Sequence, residues 1–214
     1  MLALFDLDNT LIDRLAAFKR WAAEFAADRG LGAQDVAWMI ELDADGSIPM
    51  STFFTHVRER FGLAESAESL WQGYRDRLPH LVTCRPAVLE SLDRLRMSGW
   101  RVGIVTNGMA DNQSGKIHHS GLVDRVDGWA ISDAEGFSKP DRELFEIAAR
   151  RCDTTLADGD WMIGDDVEKD VAGGRGAGLH TIWIDRGLSP GLSPGADHKV
   201  TDVLEAIALL DVDY

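Results

Sequence analysis

A chain of 214 residues exceeds one average domain and falls short of two, so one core carrying an insertion is expected. Hydrophobic residues at 45% and charged residues at 27% are the balance of an ordinary soluble globular protein, and this length buries a sizeable core without disulfides. The net charge of −14 sets the chain against phosphate backbones and anionic lipid, which excludes nucleic acid and membrane surfaces as expected partners.

The first residues, Met1-Leu2-Ala3-Leu4-Phe5-Asp6, lack the basic start and long apolar run of a signal peptide, and no apolar run approaches a membrane span. A cytoplasmic location is the expectation. Residues 2–5 read as the first buried strand, apolar on both faces. Residues 14–82 then read as a helical insertion. Its apolar stripes are Leu15, Phe18, Ala22 and Phe25; Val36, Trp38, Met39, Ile40 and Leu42; Phe53, Phe54, Val57 and Phe61; and Leu70, Trp71, Tyr74 and Leu78. Gly30, Gly46 and Gly62 punctuate them. The aromatics are expected to form the insertion's own small core.

Beyond the insertion, residues 102–105, 129–131, 161–163 and 181–184 read as four more strands. Helical stripes alternate with them: Val88, Leu92 and Leu95 before a Gly99 stop; Leu144, Ile147 and Ala148 entered through Pro140 and Asp141; and Val200, Leu204 and Ile207 with Asp202 and Glu205 as a capping pair. Alternation of this kind predicts an α/β fold, a Rossmann-like parallel sheet with helices on both faces. Residues 1–13 and 83–214 would form that α/β core, and 14–82 an all-helical cap.

Several signals carry no function. The 43–47 stretch has its glycine too early for a calcium loop, and Phe54 stands where a bidentate acid belongs. The glycines of 173–178 lack dinucleotide-binding spacing. The Ser-Pro-Gly repeats of 189–195 read as a mobile surface loop. His118 and His119 are neighbours that point apart on a helix, Asn112 begins a glycosylation sequon without a secretory route, and Cys84 and Cys152 read as buried thiols.

Four clusters fall at strand ends or a helix start, which a parallel sheet gathers along one edge. Asp6 and Asp8 follow the first strand. Thr106, Asn107 and Gly108 follow the next, offering a hydroxyl, an amide and backbone N–H groups to an anion. Lys139 precedes Pro140, which suits the first helical position and leaves the lysine beside a positive helix terminus, implying an anionic neighbour. Asp165, Asp166 and Asp170 follow the fourth strand, completing a carboxylate set suited to a hard cation such as Mg²⁺.

In this order the clusters resemble the haloacid dehalogenase-like superfamily, whose pattern is DxDx[TV], a strand-end Thr or Ser, a Lys, and GDxxxxD or DD. The match spans the predicted core, and the insertion resembles the cap of many members. The resemblance implies a Mg²⁺-dependent phosphatase acting on a small phosphorylated metabolite. Asp6 would be the nucleophile, Asp8 the general acid and base, and Thr106, Asn107 and Lys139 the phosphate contacts, with Lys139 also neutralising charge. Mg²⁺ would be held by Asp6, Asp165 and the Asp8 carbonyl, with Asp166 and Asp170 behind them. Asp166 stands where many members carry Ser, Thr or Asn, which leaves the outer acid role between Asp166 and Asp170. A sugar phosphomutase is the alternative, followed by a dehalogenase, against which Asp8 argues, and a non-catalytic binding protein. Arg14, Lys19, Arg20, His56 and Arg58 are the cap residues considered for substrate contact. The substrate itself and the oligomeric state are not written in the sequence.

Overall fold

A computed structural model describes residues 1–188 and 195–212. The chain divides into two compact units, Asp13–Thr83 and Met1–Ile12 with Cys84–Tyr214.

Asp13–Thr83 is helical, with α1 (Arg14–Asp28), α2 (Ala33–Asp43), α3 (Met50–Phe61) and α4 (Ala67–Arg77). Side-chain caps start α1 and α4: Asp13 accepts from the Ala16 N–H and Ser66 from the Ser69 N–H. Phe18, Trp21 and Phe25 recur along α1 at helical spacing and are buried. Phe18 meets Phe53 of α3 at 5.6 Å, and Trp21 meets Tyr74 of α4 at 5.0 Å, both edge-on, the arrangement ring quadrupoles favour. The aromatics are thus this unit's own core. Within it the Arg14 guanidinium grips both oxygens of Asp43 at 2.8 and 2.7 Å, and Asp43 is fully buried. Gly46 lies against that guanidinium; a side chain there would approach it to 3.1 Å. Arg14, a candidate substrate contact by sequence, is therefore committed to a buried ion pair. Lys19, Arg20, His56 and Arg58 are exposed; Arg20 donates to the Leu81 carbonyl and Arg58 to that of Glu65.

The other unit holds strands β1 (Leu2–Phe5), β2 (Arg101–Thr106), β3 (Gly128–Ile131), β4 (Trp161–Gly164), β5 (His180–Ile184) and β6 (His198–Val200). Their order is β3-β2-β1-β4-β5-β6, and every neighbouring pair is parallel. Helices α5 (Pro86–Met97), α6 (Ala110–His119), α7 (Ser132–Glu135), α8 (Arg142–Arg151), α9 (Gly173–Gly176) and α10 (Val203–Val212) cover both faces of the sheet. Strand side chains alternate between faces, so Leu2 and Leu4 pack with Met162, Leu144, Phe145 and Ala148 on the α8 side. Cys84 and Cys152 are unpaired and buried, and burial pushes their thiols up to about 11 and about 12.

Two details differ from the sequence reading, the placing of Val200 and of Pro140, while Asp202 and Glu205 do make capping contacts at the start of α10. Val200 belongs to β6, a three-residue edge strand whose His198 and Lys199 hide any apolar run, and α10 begins only at Val203. Asp202 accepts from the Leu204 N–H, while Glu205 reaches back to the Thr201 N–H. Pro140 lies in a turn over residues 138–141 that the Asp141 N–H closes on the Ser138 carbonyl at 2.7 Å, and α8 starts at Arg142 with Asp141 as its cap. The glycines at 173 and 174 serve packing: a side chain at Gly174 would meet Met162 at 2.8 Å. The Ser-Pro-Gly segment lies largely outside the described residues. Among the described residues no helix is long and apolar enough to cross a membrane.

Candidate active site

Strands β2, β1 and β4 are adjacent at the centre of the sheet, where strand order reverses, and their C-terminal ends form the crevice in which ligands of open α/β sheets bind. Asp6 follows β1, with its N–H bonded to the Ile163 carbonyl at 2.9 Å. Thr106 ends β2 and is fully buried, and Asp165 follows β4.

Lys139 links the third cluster to the first and fourth. Its ammonium lies 2.5 Å from Asp6 Oδ1 and 2.7 Å from Asp170 Oδ1, and all three side chains are buried. Burial works against the Lys139 charge, but the carboxylates of Asp170 and Asp6 outweigh it, and the amine is held above its ordinary range. Burial drives the Asp6 carboxyl well above its usual value; Lys139 opposes this, while Asp170 and Asp165 add to it.

Asp170 sits in a π-helical turn, Val167–Ala172, where the Val171 N–H reaches the Asp166 carbonyl. Such turns recur at functional sites because they re-aim a side chain within a helix. Gly164 makes room for it: a side chain at 164 would overlap the Asp170 carboxylate. Asp166 faces elsewhere. Its carboxylate accepts the N–H groups of Glu168 and Lys169 and pairs with the Lys169 ammonium at 2.5 Å. Of the two acids left open by sequence, Asp170 touches Lys139 and Asp166 caps the turn.

Asn107 uses its side chain on the lysine segment rather than presenting it to an anion. Its amide donates to the Lys139 carbonyl at 3.0 Å and accepts from the Lys139 N–H at 2.8 Å. The Gly108 N–H donates to Ser132 Oγ at 2.9 Å. Asp8 is held by two residues that sequence reasoning missed. Lys116 contacts its oxygens at 2.9 and 2.8 Å, and Gln113 Nε2 donates to Oδ2 at 3.0 Å and to Thr106 Oγ1 at 2.6 Å. Their i, i+3 spacing on α6, just after the Thr106 cluster, was the available signal.

Asp6, Asp165 and Asp170 each offer a carboxylate oxygen, and the three lie within 4.8 Å of one another. Asp165 is raised to about 6 by burial and by Asp170, against the pull of Arg186, whose Nη1 lies 3.2 Å from its Oδ2. Three crowded, partly desolvated carboxylates repel one another, and a hard divalent cation relieves that repulsion with oxygen ligands. The donor set fits Mg²⁺.

Residues 3–184 match the haloacid dehalogenase-like hydrolase family. The chain belongs to that family. Among curated members, it is 25% identical to the pyrimidine 5'-nucleotidase YjjG of Escherichia coli, covering 94% of this chain and 96% of that one. It is 34% identical to the phosphoserine phosphatase of Thermus thermophilus over 63% of this chain and 53% of that protein. The HAD-hydrolase YfnB of Bacillus subtilis, solved bound to magnesium, shares the fold with a TM-score of 0.78 at 24% identity, over 99% of this chain and 98% of that one.

Proposed function

We propose that this hydrolase is a Mg²⁺-dependent phosphatase that cleaves a small phosphomonoester through an aspartyl phosphate on Asp6. The observation that carries this reading is the separation of two acids offset by two residues: Asp6 in the Lys139 and carboxylate cluster, Asp8 on Lys116 and Gln113. Relatives named as a nucleotidase and a phosphoserine phosphatase support a phosphomonoester as the substrate class.

An Asp6 oxygen would attack phosphorus while the bond to the ester oxygen breaks, and the Asp8 proton would pass to the departing alkoxide. Asp8 would then take a proton from water as that water attacks phosphorus, breaking the bond to Asp6 and releasing inorganic phosphate. Lys139 would neutralise charge gathering on Asp6 and the phosphoryl oxygens, with Asp170 holding the lysine in place. Thr106 and the Asn107 backbone would take phosphoryl oxygens. Mg²⁺, held by Asp6, Asp165 and the Asp8 carbonyl, would supply positive charge against the repulsion between a carboxylate and an anionic ester. Residues 14–82 are proposed as the cap that selects the substrate.

Quenched mass spectrometry with p-nitrophenyl phosphate tests the reading. Asp8→Asn should carry a phosphate adduct on Asp6 that hydrolyses about 10²–10⁴-fold slower than in the wild type. Asp6→Asn should carry none. An adduct on another residue, or near-normal turnover by Asp6→Asn without deamidation, overturns the mechanism. Phosphate release across nucleotides, sugar phosphates, phosphoglycolate and phosphoamino acids would identify the substrate.

A further inference from the structure

Lys116 and Gln113 have no part in the steps above, yet they are among the most deeply buried polar groups beside them, each 2% exposed. An ammonium at that depth is stable only among oxygens that compensate its lost hydration. Lys116 finds them in both oxygens of Asp8 and in Gln113 Oε1, at 2.6 Å. The Gln113 amide nitrogen turns the other way, to Asp8 Oδ2 and Thr106 Oγ1. A side chain at Gly108 would meet Gln113 at 3.0 Å, so that glycine leaves the space the amide occupies. Asp8 itself is partly exposed, with 22% of its side chain open to solvent, and without such contacts its carboxyl would sample several rotamers.

We propose that Gln113 and Lys116 are positioning residues for Asp8. They fix the plane of its carboxyl and tie it, through Gln113, to the hydroxyl of Thr106. The group that moves the proton and the group that holds the phosphate are thereby one rigid unit. This rests on the phosphatase reading above. Proton transfer needs heavy atoms about 2.6–3.2 Å apart, and a misplacement of about 1 Å costs up to 10²-fold in rate.

Lys116→Met and Gln113→Leu, each made alone and in the Asp8→Asn background, test the proposal. Lys116→Met should lower kcat about 10- to 10²-fold with little change in KM. Phosphate should accumulate on Asp6 in quenched samples, because the step that needs Asp8 as base is slowed. In the Asp8→Asn background the same substitution should change the rate by less than about twofold, since the residue it positions is already disabled. Gln113→Leu should act in the same direction. If Lys116→Met does not fold, Gln113→Asn, which keeps the amide and shortens its reach, carries the comparison. Equal losses in both backgrounds, or a loss confined to KM, overturn the positioning role. An adduct that forms in Asp8→Asn but does not accumulate in Lys116→Met overturns it alone. No adduct in any variant overturns the phosphatase reading and this role together.

Discussion

Gly164 and Arg14 show how little of a residue's job is visible in its type. The glycine is legible in sequence as part of the fourth cluster, but its reason is steric: the Asp170 carboxylate occupies the space of its missing side chain. Gly164→Ala should displace Asp170 and with it the ammonium of Lys139. We expect kcat to fall about 10²-fold, with a far-ultraviolet circular dichroism spectrum like the wild type's. Arg14 reads from sequence as a cationic cap residue available to substrate, whereas it holds a buried carboxylate. Arg14→Ala strands Asp43 without its partner and should destabilise the protein by about 3–5 kcal/mol in urea unfolding. A shift in substrate preference at unchanged stability would contradict that assignment.

Elements differed in legibility according to how their burial was written. Strands β1, β2, β4 and β5 are covered on both faces and show as short apolar runs. Strand β6 lies at the sheet edge, with His198 and Lys199 in its three residues, and leaves no such run. Helix α6 misleads in the opposite sense. Its Gln113 and Lys116 are polar but buried, because their partners are Thr106 of β2 and Asp8 in the loop after β1. A polar face turned inward looks like a solvated one until those partners are known, so the four motif clusters were readable and the groups that aim Asp8 were not. Helix α9 gives a test at this scale. Gly174→Ala would press a methyl against Met162 of β4 and Thr181 of β5, and should cost about 1–3 kcal/mol in urea unfolding.

For the whole molecule, the acidic edge sets a pH dependence. Asp165 is raised from 3.8 to about 6, so the folded protein holds that proton more tightly than the unfolded chain does. Its contribution to stability is present below about pH 4 and is lost as pH rises through about 6, because the ionised acid must remain buried and beside Asp170. Mg²⁺ should offset the loss. Thermal melts should show a Mg²⁺-dependent rise in Tm at pH 8 that shrinks at pH 5, where protons compete for the carboxylates. A rise independent of pH would dissociate the metal from this cluster. The central strand also carries a consequence for how the chain is made. Leu4 pairs with Gly103 on one side and Met162 on the other, while Asp13–Thr83 is one contiguous stretch of helices. Non-local pairing is slow because loop closure must precede its reward, and domains fold as units while the chain emerges. The inserted helices can thus be complete on the ribosome while β1, an apolar strand with both edges open, still awaits its partners. The segment bearing the proposed nucleophile is therefore left open to chaperones and to wrong neighbours, and the site is assembled only when the chain has been synthesised past Asp170, beyond β4.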